Sequence, residues 1–482
     1  MNLRELTQDD GMPSIGVDGM TLDSRFVQEG DLFVGLADDA DTRSKHVSEA
    51  FSKGAVAAMV VGPVEKATEL PIFVARDLRD RLGDLADRFF GEPSSSFKLL
   101  AVTGTNGKSS VAHLGAQALN LLSVSAGMIG TLGTGRLSGL KPAMLTTPDV
   151  LSLHSEFAAL KACGAEVVHM EASSHGIDQN RLQGARIDAA VFTNLTHDHL
   201  DYHGSFEAYG EAKAKLFRRA GLDVAIINID DAFGRELTGR TNAKRVLTYG
   251  IESDTADISA AAIQTTPIGS RFQLRIKGSS RSAECRLLGD FNLSNLLAVS
   301  GWLQDLGHSL DSIVEILPML EPPPGRLERV SAPRGALFID FAHTPDAVQS
   351  TLKTIAQHYS GRIITVIGCG GDRDRTKRPV MGRLAAQLSD IAIFTSDNPR
   401  SEPPLQIVEE MLSDLPADAN SLVELDRSLA IEKGIDLLAA SDVLVILGKG
   451  HERFQEIDGV SHPFSDREVV EACFARGAGR HD

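Results

Sequence analysis

Cysteines are few in this sequence and long apolar runs are absent, and each absence restricts what the protein can be. Its four cysteines lie far apart and form no CxxC pair, so no cysteine-based metal knot is expected and buried free thiols in a reducing compartment are favoured. No run reaches the roughly 18 apolar residues that indicate a membrane-spanning helix. The N-terminal stretch MNLRELTQDD is acidic and lacks the apolar core of a secretion signal. We therefore expect a cytoplasmic protein.

Positive charge is also scarce. The chain has 48 Lys and Arg against 65 Asp and Glu, for a formal net charge of −17. This balance argues against non-specific binding to nucleic acid or to an anionic membrane, and an anionic substrate would need a locally basic pocket. At 482 residues the chain exceeds the size of about 250–300 residues at which a single core stops growing, so two to four domains are expected.

A candidate phosphate-binding loop lies at 98–110, KLLAVTGTNGKSS. A short apolar run predicts a buried strand, and glycines, Lys108 and two serines separate it from a segment with helical apolar spacing. Glycines let backbone N–H groups converge on an anion, the helix offers its positive end, and Ser109 could reach the accompanying magnesium ion. The strict pattern is broken because Val102 stands where its first glycine would be. A tight turn with a solvated lysine is the alternative, but the flanking strand and helix favour nucleotide binding.

Alternating strand and helix patterns predict an α/β protein of three domains. Residues 1–92 form a small α/β domain, with strands at 31–36, 56–62 and 71–75 and a helix at 46–55. Residues 93–325 hold the phosphate loop in a doubly wound, P-loop-type sheet, and 326–482 form a Rossmann-like sheet. Turn-rich segments at 91–96 and 321–330 mark the boundaries.

Polar groups follow several predicted strands of the central domain, where a parallel sheet would gather them around the phosphate loop. Glu171 is placed to hold a cation. The segment THDHLDYHG, 196–204, suggests metal or phosphate chemistry, although a capped polar loop is an alternative. A helix at 207–217 carries Lys213 and Lys215, and spacing alone gives no reason to choose either.

Two further clusters are candidates for ligand binding. Asn292 and Asn295 begin a predicted helix, where they could read an adenine edge or equally cap the helix. Loops after four C-terminal strands carry the basic patch that an anionic substrate needs. Its members are Arg373, Arg375, Lys377, Arg378, Arg400, Lys449 and Arg453.

These motifs together resemble the Mur ligases, the ATP-dependent amino-acid-adding enzymes of peptidoglycan synthesis, and most closely the branch that adds the third residue of the peptide. The resemblance covers nearly the whole chain. It rests on DSR (23–25), TGTNGKSS (103–110), TTPD (146–149), EASSHGIDQNR (171–181), TNLTHDHLDYHG (193–204), FNLSN (291–295), PPGRLE (323–328), DFAHTPDA (340–347), GDRDRTKRP (371–379), DNPR (397–400) and GKGHE (448–452).

The resemblance implies an ATP site and a catalytic magnesium site. The implied ATP contacts are Gly104, Thr105, Asn106, Gly107, Lys108, Ser109, Ser110, Asn292, Asn295, Arg326 and Asp340. The implied magnesium shell is Ser109, Glu171, His199 and Lys213, the last as a carbamylated lysine that becomes an anionic ligand. Lys108, Glu171, His199 and Lys213 are the implied catalytic residues.

The resemblance also implies the substrates UDP-MurNAc-L-Ala-D-Glu and meso-diaminopimelate. Contacts to the first are expected from Leu22, Ser24, Thr146, Thr147, Ser173, Gln179 and Arg181. Contacts to the second are expected from Arg373, Asp397, Asn398, Pro399, Arg400, Gly448 and Glu452. Lysine-adding relatives lack the arginine of DNPR, whereas a guanidinium can clamp the far carboxylate of diaminopimelate.

The implied activity is an ATP-dependent ligase that works through an acyl phosphate and releases ADP and phosphate, in the synthesis of cell-wall precursors. Mg²⁺ is the implied cofactor, and a monomer with no nucleic-acid partner is expected. Rivals are a lysine-adding relative, folylpolyglutamate synthetase and a nucleotide-binding regulator without ligase activity. The chain departs from the family at Leu145, at Ser109 and Ser110, and in the loop 37–46, which lacks the usual glycine-rich, uridine-contacting form.

Overall fold

The computed structural model describes residues 1–65, 70–415 and 419–478, and the chain forms two compact units, Met1–Thr248 and Tyr249–Asp482. The first unit begins with a four-stranded parallel sheet of order β1-β2-β3-β4. Its elements are α1 (Leu3–Thr7), β1 (Gly19–Thr21), β2 (Asp31–Gly35), α2 (Ala40–Ser52), β3 (Ala57–Val60), β4 (Ile72–Val74) and α3 (Leu78–Phe89). Buried apolar residues on both faces of β2 and β3 explain why these strands were predictable.

The prediction of a loop at 37–46 is wrong for most of this segment, because helix α2 begins at Ala40. Asp39 caps this helix by accepting the backbone N–H of Thr42. Arg43 points inward and donates to the backbone carbonyls of Ala37, Asp38 and Pro63, so a polar stretch is held as a helix by buried hydrogen bonds.

The rest of the first unit is built around strand β5. The elements are β5 (Lys98–Thr103), α4 (Lys108–Leu121), β6 (Ala126–Gly130), β7 (Gly133–Gly135), α5 (Val150–Ala162), β8 (Val167–Glu171), α6 (Ser174–Asp178), β9 (Ala189–Phe192), α7 (Leu200–His203), α8 (Phe206–Phe217), β10 (Val224–Asn228), α9 (Ala232–Thr238) and β11 (Arg245–Gly250). Strand β5 lies between β8 and β9, both parallel to it, and β6 and β10 extend the sheet on either side. The strand order therefore reverses at β5, which is where ligands bind in doubly wound sheets.

The second unit opens with an antiparallel meander that was not predicted from the sequence. Strands β12 (Ile258–Thr266), β13 (Gly269–Ile276) and β14 (Ser279–Cys285) pair in that order, and α10 (Asp290–Asp305) and α11 (Leu310–Ile316) follow. Burial alternates along β13, as expected for a sheet with one covered face.

A second, mostly parallel sheet has the order β15-β16-β20-β17-β18-β19, with only β15 antiparallel. The sheet and its helices are β15 (Glu328–Val330), β16 (Ala336–Asp340), α12 (Pro345–His358), β17 (Ile363–Ile367), α13 (Lys377–Leu388), β18 (Ile391–Phe394), α14 (Pro404–Leu412), β19 (Ser421–Val423), α15 (Arg427–Leu437), β20 (Val443–Leu447) and α16 (Asp466–Ala478). A separate antiparallel pair, β21 (Phe454–Ile457) and β22 (Val460–Pro463), lies between β20 and α16 in the chain. The expected second α/β sheet is confirmed. The boundaries at 92 and 325 stay predictions, and the two compact units divide elsewhere.

The cysteines are all free, but their predicted burial is only partly correct. Cys285 and Cys369 are buried, and burial raises the pKa of the Cys369 thiol to about 12. Cys163 is exposed at the end of α5 and Cys473 is half-buried, so burial is wrong for Cys163. Within the three described ranges, no helix combines the length and apolar character needed to cross a membrane.

A fully buried ion pair between Arg427 and Asp466 lies at the carboxyl edge of the second unit's parallel sheet. Arg427 donates from Nε and Nη2 to the two carboxylate oxygens of Asp466, at 2.7 and 2.8 Å. The same guanidinium donates to the carbonyl oxygens of Leu447 and Ser396, at the ends of β20 and β18.

We expect Asp466→Ala to destabilise the second unit strongly, because it leaves the Arg427 charge buried without its counterion. The loss is about 3–5 kcal/mol, and its unfolding temperature should fall by about 2–4 °C for each kcal/mol in differential scanning calorimetry. Glu471→Ala, which removes the exposed partner of Arg467, is the control and should change stability by less than about 1 kcal/mol. Equal shifts for the two variants would contradict the prediction.

Candidate active site

The phosphate loop follows β5 and has the backbone geometry that its glycines predict. Gly104 has φ +147° and Gly107, the N-cap of α4, has φ +87°. A Cβ on Gly104 would lie 1.8 Å from Oγ1 of Thr193, so only glycine fits there. Nζ of Lys108 donates to the carbonyl oxygens of Gly104 and Thr105, at 3.0 and 2.9 Å, which holds its charge over the loop.

Glu171 reaches this loop because β8 is the direct neighbour of β5, with Glu171 opposite Val102. Its carboxylate is fully buried and accepts from Oγ of Ser109 at 2.9 Å. The backbone N–H of Thr131 donates to its other oxygen at 2.8 Å. A carboxylate and a hydroxyl therefore meet beside the phosphate loop. Thr131 was not predicted from the sequence, although its place directly after β6 was a usable signal.

Lys213 and Lys215, between which sequence spacing gave no choice, have different environments in the structure. Lys213 is 1% exposed, its Nζ donates to the carbonyl of Gly104 at 2.9 Å, and it lies 4.2 Å from the ring centre of Tyr209. Burial, and then the charge of Lys108, holds the pKa of Lys213 well below its usual value. The side chain of Lys215 is 51% exposed and pairs with Asp178 at 2.6 Å. Of the two, Lys213 is the one that contacts the phosphate loop.

His199 lies in a cluster of rings next to Lys213. Its ring centre is 4.8 Å from that of His175 and 6.1 Å from that of Tyr209, whose hydroxyl donates to Oγ1 of Thr105. Burial lowers the pKa of His199, which favours the neutral imidazole. Among the residues that the structure describes, no three His, Cys, Asp or Glu side chains are grouped closely enough to bind a metal ion by themselves.

Five residues expected to contact the muramoyl-dipeptide form one hydrogen-bonded cluster around Glu171. Thr147 donates from Oγ1 to the carbonyl of Glu171 at 2.8 Å and accepts the backbone N–H of Ser173 at 3.0 Å. Arg181 donates to the carbonyl of Thr147 and to Oε1 of Gln179. Thr146 joins through Oγ1, 3.0 Å from that of Thr131.

The two N-terminal residues of this set lie in the small sheet region. Ser24 is buried and its hydroxyl donates to Glu49 at 2.6 Å, while Lys53 donates to the Ser24 carbonyl. Leu22 is half-buried against the core of this region. The acid–base pair Glu49–Lys53 beside Ser24 was not predicted, because helix α2 brings it from 25 residues away.

In the second unit, the helix-cap alternative for the two asparagines is wrong. The N-cap of α10 is Gly289, without a side-chain cap. Asn292 is buried and donates to the carbonyl of Leu288, and the amide of Asn295 lies 3.5 Å from Oδ1 of Asn292. Their ability to read an adenine stays a prediction.

Asp340 and Arg326 lie close together at the end of β16. The Asp340 carboxylate accepts the N–H groups of Leu327 and Ala342 and the hydroxyl of Thr351. Burial raises its pKa, and the nearby Arg326 opposes that shift. Arg326 stacks over Phe341, with its guanidinium carbon 4.5 Å from the ring centre.

The residues expected to bind diaminopimelate gather at the carboxyl ends of β17, β18 and β20. Asn398 donates from Nδ2 to Oε2 of Glu452 at 2.8 Å. Oδ2 of Asp397 approaches Gly448 so closely that a Cβ there would be 2.4 Å away. In the loop that follows β18, the carbonyl of Pro399 accepts the N–H of Glu402.

Two arginines flank Gly370 in this cluster. A Cβ on Gly370 would lie 3.0 Å from Nη1 of Arg400 and 3.8 Å from Cγ of Arg373. Arg400 has φ +52° and donates to Glu456 at 3.0 Å and to the carbonyl of Gly371 at 2.7 Å. This left-handed backbone is uncommon for a residue other than glycine.

The predicted basic patch is much less basic than its sequence indicates. Arg378 is fully buried between Glu402 and Glu410, and Arg375 also pairs with Glu410. Arg378 is therefore a packing residue whose charge is already paired, while the exposed Arg375 is also paired, with Glu410.

Comparisons with known proteins agree with this architecture. Residues 102–303 match the Mur ligase middle domain, and residues 325–450 match the Mur ligase glutamate ligase domain. The chain is 45% identical over 463 residues to a UDP-N-acetylmuramoyl-L-alanyl-D-glutamate–2,6-diaminopimelate ligase of Ectopseudomonas mendocina, with 95% of each chain covered.

Two more relatives carry the same description. The chain is 43% identical to the ligase of Pseudomonas aeruginosa, over 95% of this chain and 94% of that one. A solved structure of such a ligase has a TM-score of 0.75 at 35% identity, with both chains fully covered. The chain belongs to the Mur ligase family.

Proposed function

We propose that this chain is an ATP-dependent ligase that adds meso-diaminopimelate to UDP-MurNAc-L-Ala-D-Glu, in the synthesis of peptidoglycan precursors. The observation that carries the proposal is the grouping of Arg400, Asn398 and Glu452 in one loop cluster of a Mur ligase. An arginine beside a carboxylate matches the far end of diaminopimelate, which bears a carboxylate and an ammonium. The names of relatives that cover 95% of the chain support the same substrate pair.

The first unit supplies the groups that phosphoryl transfer needs. Backbone N–H groups of the loop and the Lys108 ammonium would hold the ATP phosphates, while the cluster of Thr147 and Arg181 holds the acceptor. The side-chain carboxylate of the D-glutamate attacks the γ-phosphate, the acyl phosphate forms and ADP leaves. The amine of diaminopimelate then attacks the acyl carbon, and phosphate departs with formation of the amide bond.

The residues beside the loop fit a magnesium ion. Ser109 and Glu171 offer a hydroxyl and a carboxylate oxygen, which are the hard oxygen ligands that Mg²⁺ prefers. The bound ion would neutralise charge on the phosphate oxygens. His199 and Lys213 complete the proposed set.

Lys213 is suited to carbamylation. Its lowered pKa favours the neutral amine, the form that attacks carbon dioxide; an N–C bond forms and the amine loses a proton. The product is an anion where a cation stood, so it would become a ligand for the metal.

The test is phosphate release from ATP by the purified full chain, supplied with UDP-MurNAc-L-Ala-D-Glu and one amino acid at a time. We expect release only when both substrates are present, and with meso-diaminopimelate in preference to L-lysine. A preference for L-lysine would identify the lysine-adding rival. Release with neither dependence would contradict a ligase, and no release under any pairing would favour a nucleotide-binding regulator.

A cytoplasmic monomer is part of the proposal, because all of these substrates are soluble metabolites. Size-exclusion chromatography with light scattering would test the oligomeric state.

A further inference from the structure

Lys449 is a buried cation in the diaminopimelate cluster for which the proposed function has no role. It follows Gly448 directly after β20, and its side chain is 0% exposed. Nζ donates to Oε2 of Glu452 at 2.8 Å and to Oδ1 of Asn398 at 3.0 Å. A buried ammonium is costly unless it is paired and hydrogen-bonded, so these two contacts fix its place.

Glu452 is consequently engaged by a cation of the chain itself. Its Oε2 accepts both from Lys449 and from Nδ2 of Asn398, and its backbone N–H donates to the Lys449 carbonyl. The carboxylate side chain is still 22% exposed, so a ligand can reach it. An ammonium that arrives there shares the carboxylate with Lys449 and is repelled by it.

Several other charges of the cluster are already paired within the chain. Arg427 is buried near Asp397 and Glu452 and adds positive charge, which Asp466 balances. Asp397 lies against Gly448, and Glu456 is paired with Arg400 at 3.0 Å. An ammonium alone must therefore share Glu452 with Lys449, and a carboxylate alone must share Arg400 with Glu456. A ligand that brings both groups gains both contacts.

We propose that Lys449 determines amino-acid specificity by occupying Glu452, which makes binding depend on a far carboxylate that Arg400 can clamp. This inference rests on the proposed function. A diamino acid with a carboxylate beside its far ammonium compensates for the shared Glu452 through Arg400. A diamino acid without that carboxylate has no such compensation.

The experiment compares kcat/KM for meso-diaminopimelate and for L-lysine in the full chain, with phosphate release as the readout. In Lys449→Met, which has similar volume and no charge, the ratio of the two values should fall at least about tenfold because Glu452 becomes available to the ammonium of lysine. Lys449→Arg keeps the charge and should keep the ratio near wild type.

Lys433→Met is the matched control, since Lys433 pairs with Glu424 on the exposed side of α15 in the same unit. It should leave both values unchanged. If Lys449→Met lowers both values in equal proportion, Lys449 is only structural and the inference is overturned. If the wild-type chain shows no release with diaminopimelate, the proposed function itself fails, whatever the variants do.

Two further measurements test the inference even if the Lys449→Met variant does not fold. Lys449→Gln removes the charge but can still donate to Asn398, and the same fall in ratio is expected. The wild-type chain should also use 2-aminopimelate, which has the far carboxylate and no far ammonium, better than L-lysine. The reverse preference would overturn the inference.

Discussion

Lys213→Ala should lower kcat for diaminopimelate-dependent phosphate release by about a thousandfold. Lys213 is the only one of the two lysines on its helix that reaches the phosphate loop, through the Gly104 carbonyl. Losing a preorganised charge at a phosphoryl-transfer site costs about 10²–10³ in kcat, and the loss of a metal ligand adds to that. The measurement is steady-state phosphate release at saturating substrates.

Lys215→Ala is the matched control for this prediction. Lys215 is two residues away, exposed, and paired with Asp178, so its removal should change kcat less than about twofold. Depleting dissolved carbon dioxide should inactivate wild type reversibly and leave the residual activity of Lys213→Ala unchanged. Equal losses in the two lysine variants would show that Lys213 has no special role.

The comparison of these lysines shows where sequence reasoning stops. Side chains two residues apart are rotated by about 200° around the helix axis, so they lie on nearly opposite sides of the helix. When one side of the helix is covered, one of the two lysines is buried and the other is exposed. The immediate neighbours do not decide which, because an alanine precedes each lysine; the apolar residues Tyr209, Leu216 and Phe217, three or four positions from Lys213, are the signal that its side of the helix is the buried one. Burial decides the question: only Lys213 is covered, and that burial is also what lowers its pKa.

Glu171 was predictable for the opposite reason. It ends a strand that is buried throughout, and the strand before the phosphate loop is similarly apolar. The carboxyl ends of neighbouring parallel strands meet at one edge of a sheet, so the contact between Glu171 and Ser109 follows from the pattern. The antiparallel meander β12–β14 was missed because its half-polar alternation carries a weaker signal than a continuous apolar run.

Ion pairs that join distant segments were not predictable at all. Arg378 counted toward a basic patch in the sequence, yet Glu402 and Glu410 bury it. Glu456 reaches Arg400 from a hairpin 56 residues away. Net charge of a segment says how many cations it has, while the fold decides which of them are already neutralised.

Arg400→Ala should raise the KM for meso-diaminopimelate and lower kcat/KM for it by about a hundredfold to a thousandfold. Removing one partner of a desolvated charge pair costs about 3–4 kcal/mol, which corresponds to that range. The KM for ATP should change less than about twofold, because Arg400 is not among the residues expected to contact ATP and the phosphate loop belongs to the other compact unit. Initial rates measured with each substrate varied in turn would separate the two effects.

Arg400→Lys should recover little of the loss, because an ammonium cannot make the two parallel hydrogen bonds of a guanidinium. The control is Arg383, an exposed arginine of α13 that pairs with Asp414. Arg383→Ala should leave both KM values unchanged. The assignment of Arg400 fails if Arg400→Ala raises the KM for ATP as much as that for diaminopimelate. It also fails if L-lysine and diaminopimelate lose kcat/KM equally, since only the second has a carboxylate for the guanidinium to clamp.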